Sequence, residues 1–270
     1  MILSPNDSIT TEQKNGVLRI TFNRPKQLNA LNLDMVHALK TICQQINGED
    51  AIRCVIVAGS GGHFMAGGDI HYFKDKLSAT PDKQQLAADF KVLLDDIHII
   101  ISTFRNLSQP IIAEVSGAIA GAGFSLMMAC DLIIASENAF FTLAYRHLGV
   151  SPDGGSTYAL PRMVGQKRAF EIALLGDRFD ANTAERWGLI NRVVEDHELT
   201  NTTNLWAGKL VDGPAQALAA TKNLLNASHH NNLQQQLDLE TKLFCQSSQT
   251  KEFEEGVAAF TEKRKPVFKN

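Results

Sequence analysis

Apolar and polar residues alternate along Val17-Leu-Arg-Ile-Thr-Phe22, the period of a strand with one buried face. From Leu33 to Ile46 apolar residues recur at helical spacing. The unbroken apolar run Cys54-Val-Ile-Val-Ala58 predicts a strand buried on both faces. Further along, the pattern predicts a helix over 86–104, a strand over 111–115, a short helix from Gly121 and a strand over 132–135. Strand and helix in alternation is the order of an α/β fold. No internal repeat is visible.

From about His197 onward the pattern is helical throughout, over 199–210, 214–225, 233–245 and 251–263, with breaks at Gly213-Pro214 and at 226–232. The expected organisation is a core of residues 1–196 that carries the chemistry, followed by a helical segment, 197–270.

Composition narrows the classes of function. With 270 residues and 44% hydrophobic content, the chain can bury a large core, and a formal net charge of −3 provides no basic field to recruit nucleic acid. Cys43, Cys54, Cys130 and Cys245 are scattered, with no Cys-x-x-Cys pair, and are read as buried thiols rather than a zinc site or a disulfide framework. No metal site is expected, since the histidines lack His-Glu-x-x-His spacing. His63, His71 and His147 lie in or beside the informative segments, where a hydrogen-bonded structural histidine is the commoner case. Residues 1–8 carry neither the basic flank and apolar run of a signal peptide nor the arginines of a mitochondrial presequence, and no apolar run is long enough to span a bilayer. The expected setting is cytoplasmic, without membrane association.

The chemistry concentrates in Gly149-Val-Ser-Pro-Asp153-Gly-Gly-Ser-Thr-Tyr158, where one carboxylate stands at the entry to a helix. Two readings of Asp153 stand side by side. As a helix N-cap it would accept from free backbone N–H groups; as a general base it would take a proton from carbon and return it elsewhere, provided something stabilises the carbanion. Two glycine-rich segments could supply that stabilisation, Phe64-Met-Ala-Gly-Gly-Asp69 and Gly117-Ala-Ile-Ala-Gly-Ala-Gly-Phe124. Small residues let a backbone approach a ligand closely, and two amides can bind one oxyanion. Neither segment matches a dinucleotide fingerprint or a phosphate loop.

Together these segments resemble the enoyl-CoA hydratase/isomerase superfamily, the crotonases, over nearly the whole chain. The likeness begins at Asn23-Arg-Pro-Lys-Gln-Leu-Asn-Ala-Leu31, similar to the family's Asn-Arg-Pro-x-x-x-Asn-Ala-Leu opening. It runs through the two glycine segments, Leu160-Pro-Arg-Met-Val-Gly165, Leu175-Gly-Asp-Arg178, residues 181–194 and Glu262-Lys-Arg-Lys-Pro266. The resemblance implies a spiral of ββα turns with a C-terminal helical trimerisation segment, and a homotrimer or a dimer of trimers. It implies an acyl-CoA substrate, with coenzyme A present only as part of that substrate and no permanently bound cofactor. The enolate oxygen would be held by the backbone N–H groups of Gly68 and Ala122.

Hydratases of this family use two glutamates, and their positions here carry Ser125 and Tyr145. A hydroxyl and a phenol, the latter with an ordinary pKa of about 10, cannot replace two carboxylate bases. Asp153 instead matches the lone acid of the enoyl-CoA isomerase branch, which includes Δ3,Δ2-enoyl-CoA isomerases and the ring-opening isomerase of phenylacetyl-CoA degradation. The expected reaction is the shift of a C=C bond from a 3-enoyl-CoA to a 2-enoyl-CoA by one carboxylate. The alternatives are a weak hydratase, a naphthoate synthase-like or dehalogenase-like enzyme, and a non-catalytic acyl-CoA-binding paralogue.

By the same resemblance, Lys26 approaches the coenzyme phosphates, and the backbones of Ala66, Asp69 and Ile70 border the adenine. Phe260 and Lys263 from a neighbouring subunit cover it. Met65, Phe73, Leu77, Leu143 and Tyr145 line the acyl pocket, and the polar stretch 74–85 lies where the family tends to be mobile.

Overall fold

A computed structural model describes residues 1–269. The hairpin of β1 (Ile9–Lys14) and β2 (Val17–Phe22) is followed by α1 (Leu33–Ile46), whose first turn is capped by the Asn32 side chain accepting from the Met35 amide. Met35, Val36, Leu39, Ile42 and Ile46 form its buried stripe, at the helical spacing of the sequence. Next come β3 (Cys54–Gly59), α2 (Ile70–Ala79) and α3 (Lys83–Asn106). The chain continues with β4 (Ile111–Val115), β5 (Ala118–Ala120) and α4 (Ala122–Met128), then β6 (Leu132–Ser136), β7 (Phe140–Thr142), α5 (Ser156–Val164) and α6 (Gln166–Leu175). Last in the core are β8 (Phe179–Asp180), α7 (Ala181–Arg186) and β9 (Arg192–Val194).

The large sheet has the order β1-β2-β3-β4-β6-β9, parallel except for β1, and a smaller sheet has the order β5-β7-β8. Each winding of the chain therefore leaves one strand in the large sheet, then touches the small layer, then forms helix. Isolated bridges extend this to the early windings: Leu31 pairs with Gly68, and Met65 pairs with Ile119 of β5. The result is a spiral of ββα turns whose repeat lies in the backbone pairing, not in the residues.

Central strands of the large sheet are buried on both faces. Val55 and Val57 of β3 point into the main core with Ile111 and Ile133, whereas Cys54 and Ile56 point to a second cluster with Ile112 and Ile134. That second cluster is completed by Leu199, Ala207 and Val211 of α8 (Leu199–Val211). Arg19 binds Glu114 through both guanidinium nitrogens at 2.8 and 3.1 Å, and Glu114 also accepts from Thr200, which fastens α8 to the sheet. The boundary expected after residue 196 therefore falls within the packing: α8 belongs to the core, because without it one face of the sheet would be bare.

After α8 come α9 (Ala215–Ala227), α10 (Leu233–Ser247) and α11 (Lys251–Glu262). One buried ion pair docks α9. Lys222, 8% exposed, reaches Asp131 at 2.7 Å and donates to the carbonyls of Phe104 and Gln109. Lys222→Ala should lower stability by about 3–5 kcal/mol, because it leaves a buried carboxylate unpaired; calorimetric unfolding at neutral pH checks this. By contrast α10 buries no residue, and so Cys245 is exposed while Cys43, Cys54 and Cys130 are buried as expected. No described helix is long and apolar enough to cross a membrane.

Candidate active site

The opening motif works as a latch. Asn29 is fully buried with φ 56°, donates to the carbonyls of Ser60 and His63 at 2.9 and 2.7 Å, and accepts from the Arg24 amide. Arg24 pairs with Asp69 at 2.8 Å, and the Asp69 carboxylate also caps α2 through the His71 amide. Burial alone would raise the Asp69 carboxyl, but the Arg24 guanidinium and the His71 amide outweigh it and hold the group below the usual carboxylate range. Backbone bonds from Ala66 to Leu28 and from Leu31 to Gly67 complete the dock. Lys26 is exposed on the turn Pro25–Gln27, next to the segment that this dock fixes, and Ile70 is exposed at the start of α2. Arg24 and Asn29 are the site-building residues that sequence reading passed over, although both lie in the quoted motif.

Gly68 and Ala122 are brought together by their glycine neighbours. Gly121 takes φ 47° and ψ −118°, a conformation open to glycine alone, and turns the chain from β5 into α4. A Cβ built on it would lie 3.6 Å from the Cα of Gly67, so the two backbones run almost in contact. The Leu31–Gly68 bridge uses the amides of Leu31 and Asp69, and β7 takes the amide of Gly121. The amides of Gly68 and Ala122 consequently have no acceptor among the described residues. Ala122 is the first helical residue and carries no positive φ, so alanine costs nothing there. Phe73 of α2 stands over Gly68, its ring edge 2.8 Å from where a side chain would begin.

Asp153 is not the cap of α5. Gly155, at φ 75°, occupies that position and no side chain caps the helix. The Asp153 carboxylate instead accepts at Oδ1 from the phenol of Tyr145, while its carbonyl accepts from Ser125 Oγ at 3.0 Å and Ser156 Oγ at 2.9 Å. Ser125 lies within α4, touches the Gly121 carbonyl at 3.4 Å and approaches the Tyr145 hydroxyl at 3.3 Å. Ser125, Tyr145 and Asp153 thus form one hydrogen-bonded array set against the start of α4. Gly154 makes the approach possible, since a Cβ there would sit 2.7 Å from that of Ser125.

Burial pushes the Asp153 carboxyl up, and the Tyr145 hydrogen bond and the charge of His98 on α3 only partly offset it. The Tyr145 phenol is pushed up further, by burial first and then by the Asp153 charge, so it remains a neutral donor. His98 was not foreseen from sequence. His63 and His147 are structural, bonded to the Ala118 amide and beside the Gly176 carbonyl.

Other expected pocket residues are placed differently. Met65 and Leu143 are fully buried, part of the packed core rather than an open wall. Leu77 is largely exposed on α2, and the polar stretch 74–85 is mostly helical, with Asp82 capping α3 and Lys76 paired to Asp89. Phe260 is 87% exposed on α11, and Lys263, also exposed, ends that helix in the left-handed region. Beside the Asp153 turn lies a cavity of about 270 Å³, with Ile101, Arg105, Ser125, Met128, Gly154 and Met163 in its lining.

Comparison with known proteins places these two glycine-rich segments and the Asp153 turn within one family. The family model for enoyl-CoA hydratase/isomerase covers residues 12–270. The chain belongs to this family. It is 35% identical over 261 residues to the 1,2-epoxyphenylacetyl-CoA isomerase of Escherichia coli, covering 96% of this chain and 97% of that protein. It is 34% identical to the crotonyl-CoA hydratase of Syntrophomonas wolfei, covering 97% of each. A crystal structure of an enoyl-CoA hydratase from Polaromonas sp. JS666 superposes with a TM-score of 0.90 at 32% identity, covering 97% of this chain and 99% of that one. The fold is therefore that of the crotonases, and the chain is an acyl-CoA enzyme of the hydratase/isomerase family.

Proposed function

We propose that this enzyme is an acyl-CoA isomerase that moves a C=C bond from the 3- to the 2-position of an enoyl thioester. The Gly68 and Ala122 amides hold the thioester oxygen. Asp153 removes a proton from C2, the charge moves through a dienolate onto that oxygen, and the resulting carboxylic acid returns the proton at C4. Because burial raises the Asp153 carboxyl, the base becomes protonated early as pH falls, and turnover should be lost already above the ordinary carboxylate range.

The observation that carries this reading is the Ser125–Tyr145–Asp153 array. Both positions where hydratases hold glutamates bear hydroxyl groups, and those hydroxyls are engaged with the single acid. The Escherichia coli relative, an isomerase by name, agrees with it. Coenzyme A arrives with the substrate, its phosphates near Lys26 and its adenine against Ala66, Asp69 and Ile70. No resident cofactor takes part in these steps. A proton NMR screen of 3-enoyl-CoA, 2-enoyl-CoA and ring-epoxide thioesters tests the proposal; conversion of none of them, with hydration of crotonyl-CoA instead, would refute it.

The C-terminal helices are proposed to assemble a homotrimer or a dimer of trimers, with Phe260 and Lys263 closing over a neighbour's coenzyme. Leu233 at 76% and Phe244 at 68% exposure support this, as they leave apolar surface that one chain does not cover. Phe244→Glu should dissociate the assembly to monomers and weaken acyl-CoA binding about tenfold, a loss of about 1.4 kcal/mol. Sedimentation velocity and a titration check both; an undiminished oligomer would reject the assignment.

A further inference from the structure

We propose that Tyr145 is a positioning residue that holds one oxygen of Asp153 and leaves the other as the sole proton carrier. This rests on the isomerase reading above and adds to it a residue that the reaction scheme itself does not require.

The geometry distinguishes the two oxygens. Oδ1 accepts from the Tyr145 hydroxyl, and Oδ2 has no partner among the described residues. A carboxylate free to rotate would offer either oxygen, and in a 1,3-shift the acid that forms must deliver from the place where the base collected. The hydroxyl of Tyr145 has one proton, already given to Oδ1. Ser125 has one as well, and its 3.0 Å contact to the Asp153 carbonyl is the shortest of its bonds. Side chain and main chain of Asp153 are thus held independently, by different residues from different windings. Tyr145 itself cannot drift, for it is buried and its backbone amide is bonded to Leu143.

The contact also sets when the base is available. The charged and titratable groups facing Asp153 are Tyr145, from the turn Tyr145–Leu148, and His98, from α3; the facing group from α4, Ser125, is neutral. A phenol donating to the carboxylate favours its ionised form against burial. Loss of that donor moves the titration of Asp153 to higher pH.

Tyr145→Phe keeps the ring and removes only the donor. In the full-length enzyme the expected result is a kcat lowered about tenfold with KM within about twofold, and an acid limb of the pH–kcat profile displaced to higher pH. Titrating the enzyme labelled with 13C-aspartate, with the Asp153 carboxyl identified as the signal missing in Asp153→Asn, reads the same displacement without turnover. Introducing 3-fluorotyrosine at position 145, a stronger donor of nearly the same shape, should displace it to lower pH, and this arm stands even where Tyr145→Phe fails to fold. Coincident Asp153 titrations in all forms would overturn the positioning role. Absence of isomerisation in the wild type would instead defeat the isomerase reading, while the carboxyl titration still decides whether Tyr145 holds Asp153.

Discussion

Asp153→Asn is expected to abolish the proposed double-bond migration, a loss of at least ~10²–10⁴-fold in kcat, while acyl-CoA affinity should stay within a few-fold of the wild type. An amide still accepts from Tyr145 at Oδ1, so the array survives, but it is not a base. The helix is unaffected as well, because Gly155 and not Asp153 holds the cap position of α5. Turnover of a 3-enoyl-CoA and exchange of C2 hydrogen with deuterated solvent measure the effect. A variant that still exchanged and turned over would sink the single-base mechanism, whereas a large drop in melting temperature would restore Asp153 to a structural role.

Crotonyl-CoA is expected to be hydrated about 10²–10⁴-fold more slowly than by an enzyme of this family with two glutamates, the usual cost of a missing acid–base group. Water must be deprotonated as it adds to the β-carbon. The groups at the two relevant positions cannot do this, since Tyr145 is pushed further from ionisation by burial and Ser125 is engaged with the Asp153 carbonyl. Following 3-hydroxybutyryl-CoA formation by chromatography gives the rate. Hydration at a rate comparable to that of the two-glutamate enzymes would mean that Asp153 activates water unaided.

The large sheet and most of the helices were legible because their signals are periodic and long. The expected limits of α1 and β4 are those observed, and the run at β3 is apolar because both of its faces are covered. The small sheet was not legible. β5, β7 and β8 have two or three residues each, too few to show a period, and the bridges at Leu31 and Met65 exist only through partners distant in sequence. In the candidate site, Gly68, Ala122 and Asp153 are singled out by resemblance. That Asp153 does not cap α5 is not legible there, because it turns on two glycines that delay the start of the helix until Ser156. Equally, a tyrosine eight residues before the acid does not reveal where its hydroxyl points. The role of α8 was hidden for a different reason: a helix that covers the back of a sheet has the same amphipathic pattern as one that joins subunits.

Gly68, Ala122 and Asp153 each come from a different winding of the spiral: one after β3, one after β5, one between β7 and α5. The proposed grip on the thioester is main chain, held open by small residues where Phe73 and the Gly67 backbone come close, whereas the proposed acid–base group comes from a later winding. Chemistry on such a scaffold would be rewritten by exchanging acid–base side chains, with the main-chain recognition of the acyl group left in place. Conversion to a two-glutamate hydratase would therefore need changes on two windings, at Ser125 in α4 and at Tyr145 after β7, and not at the Asp153 turn alone.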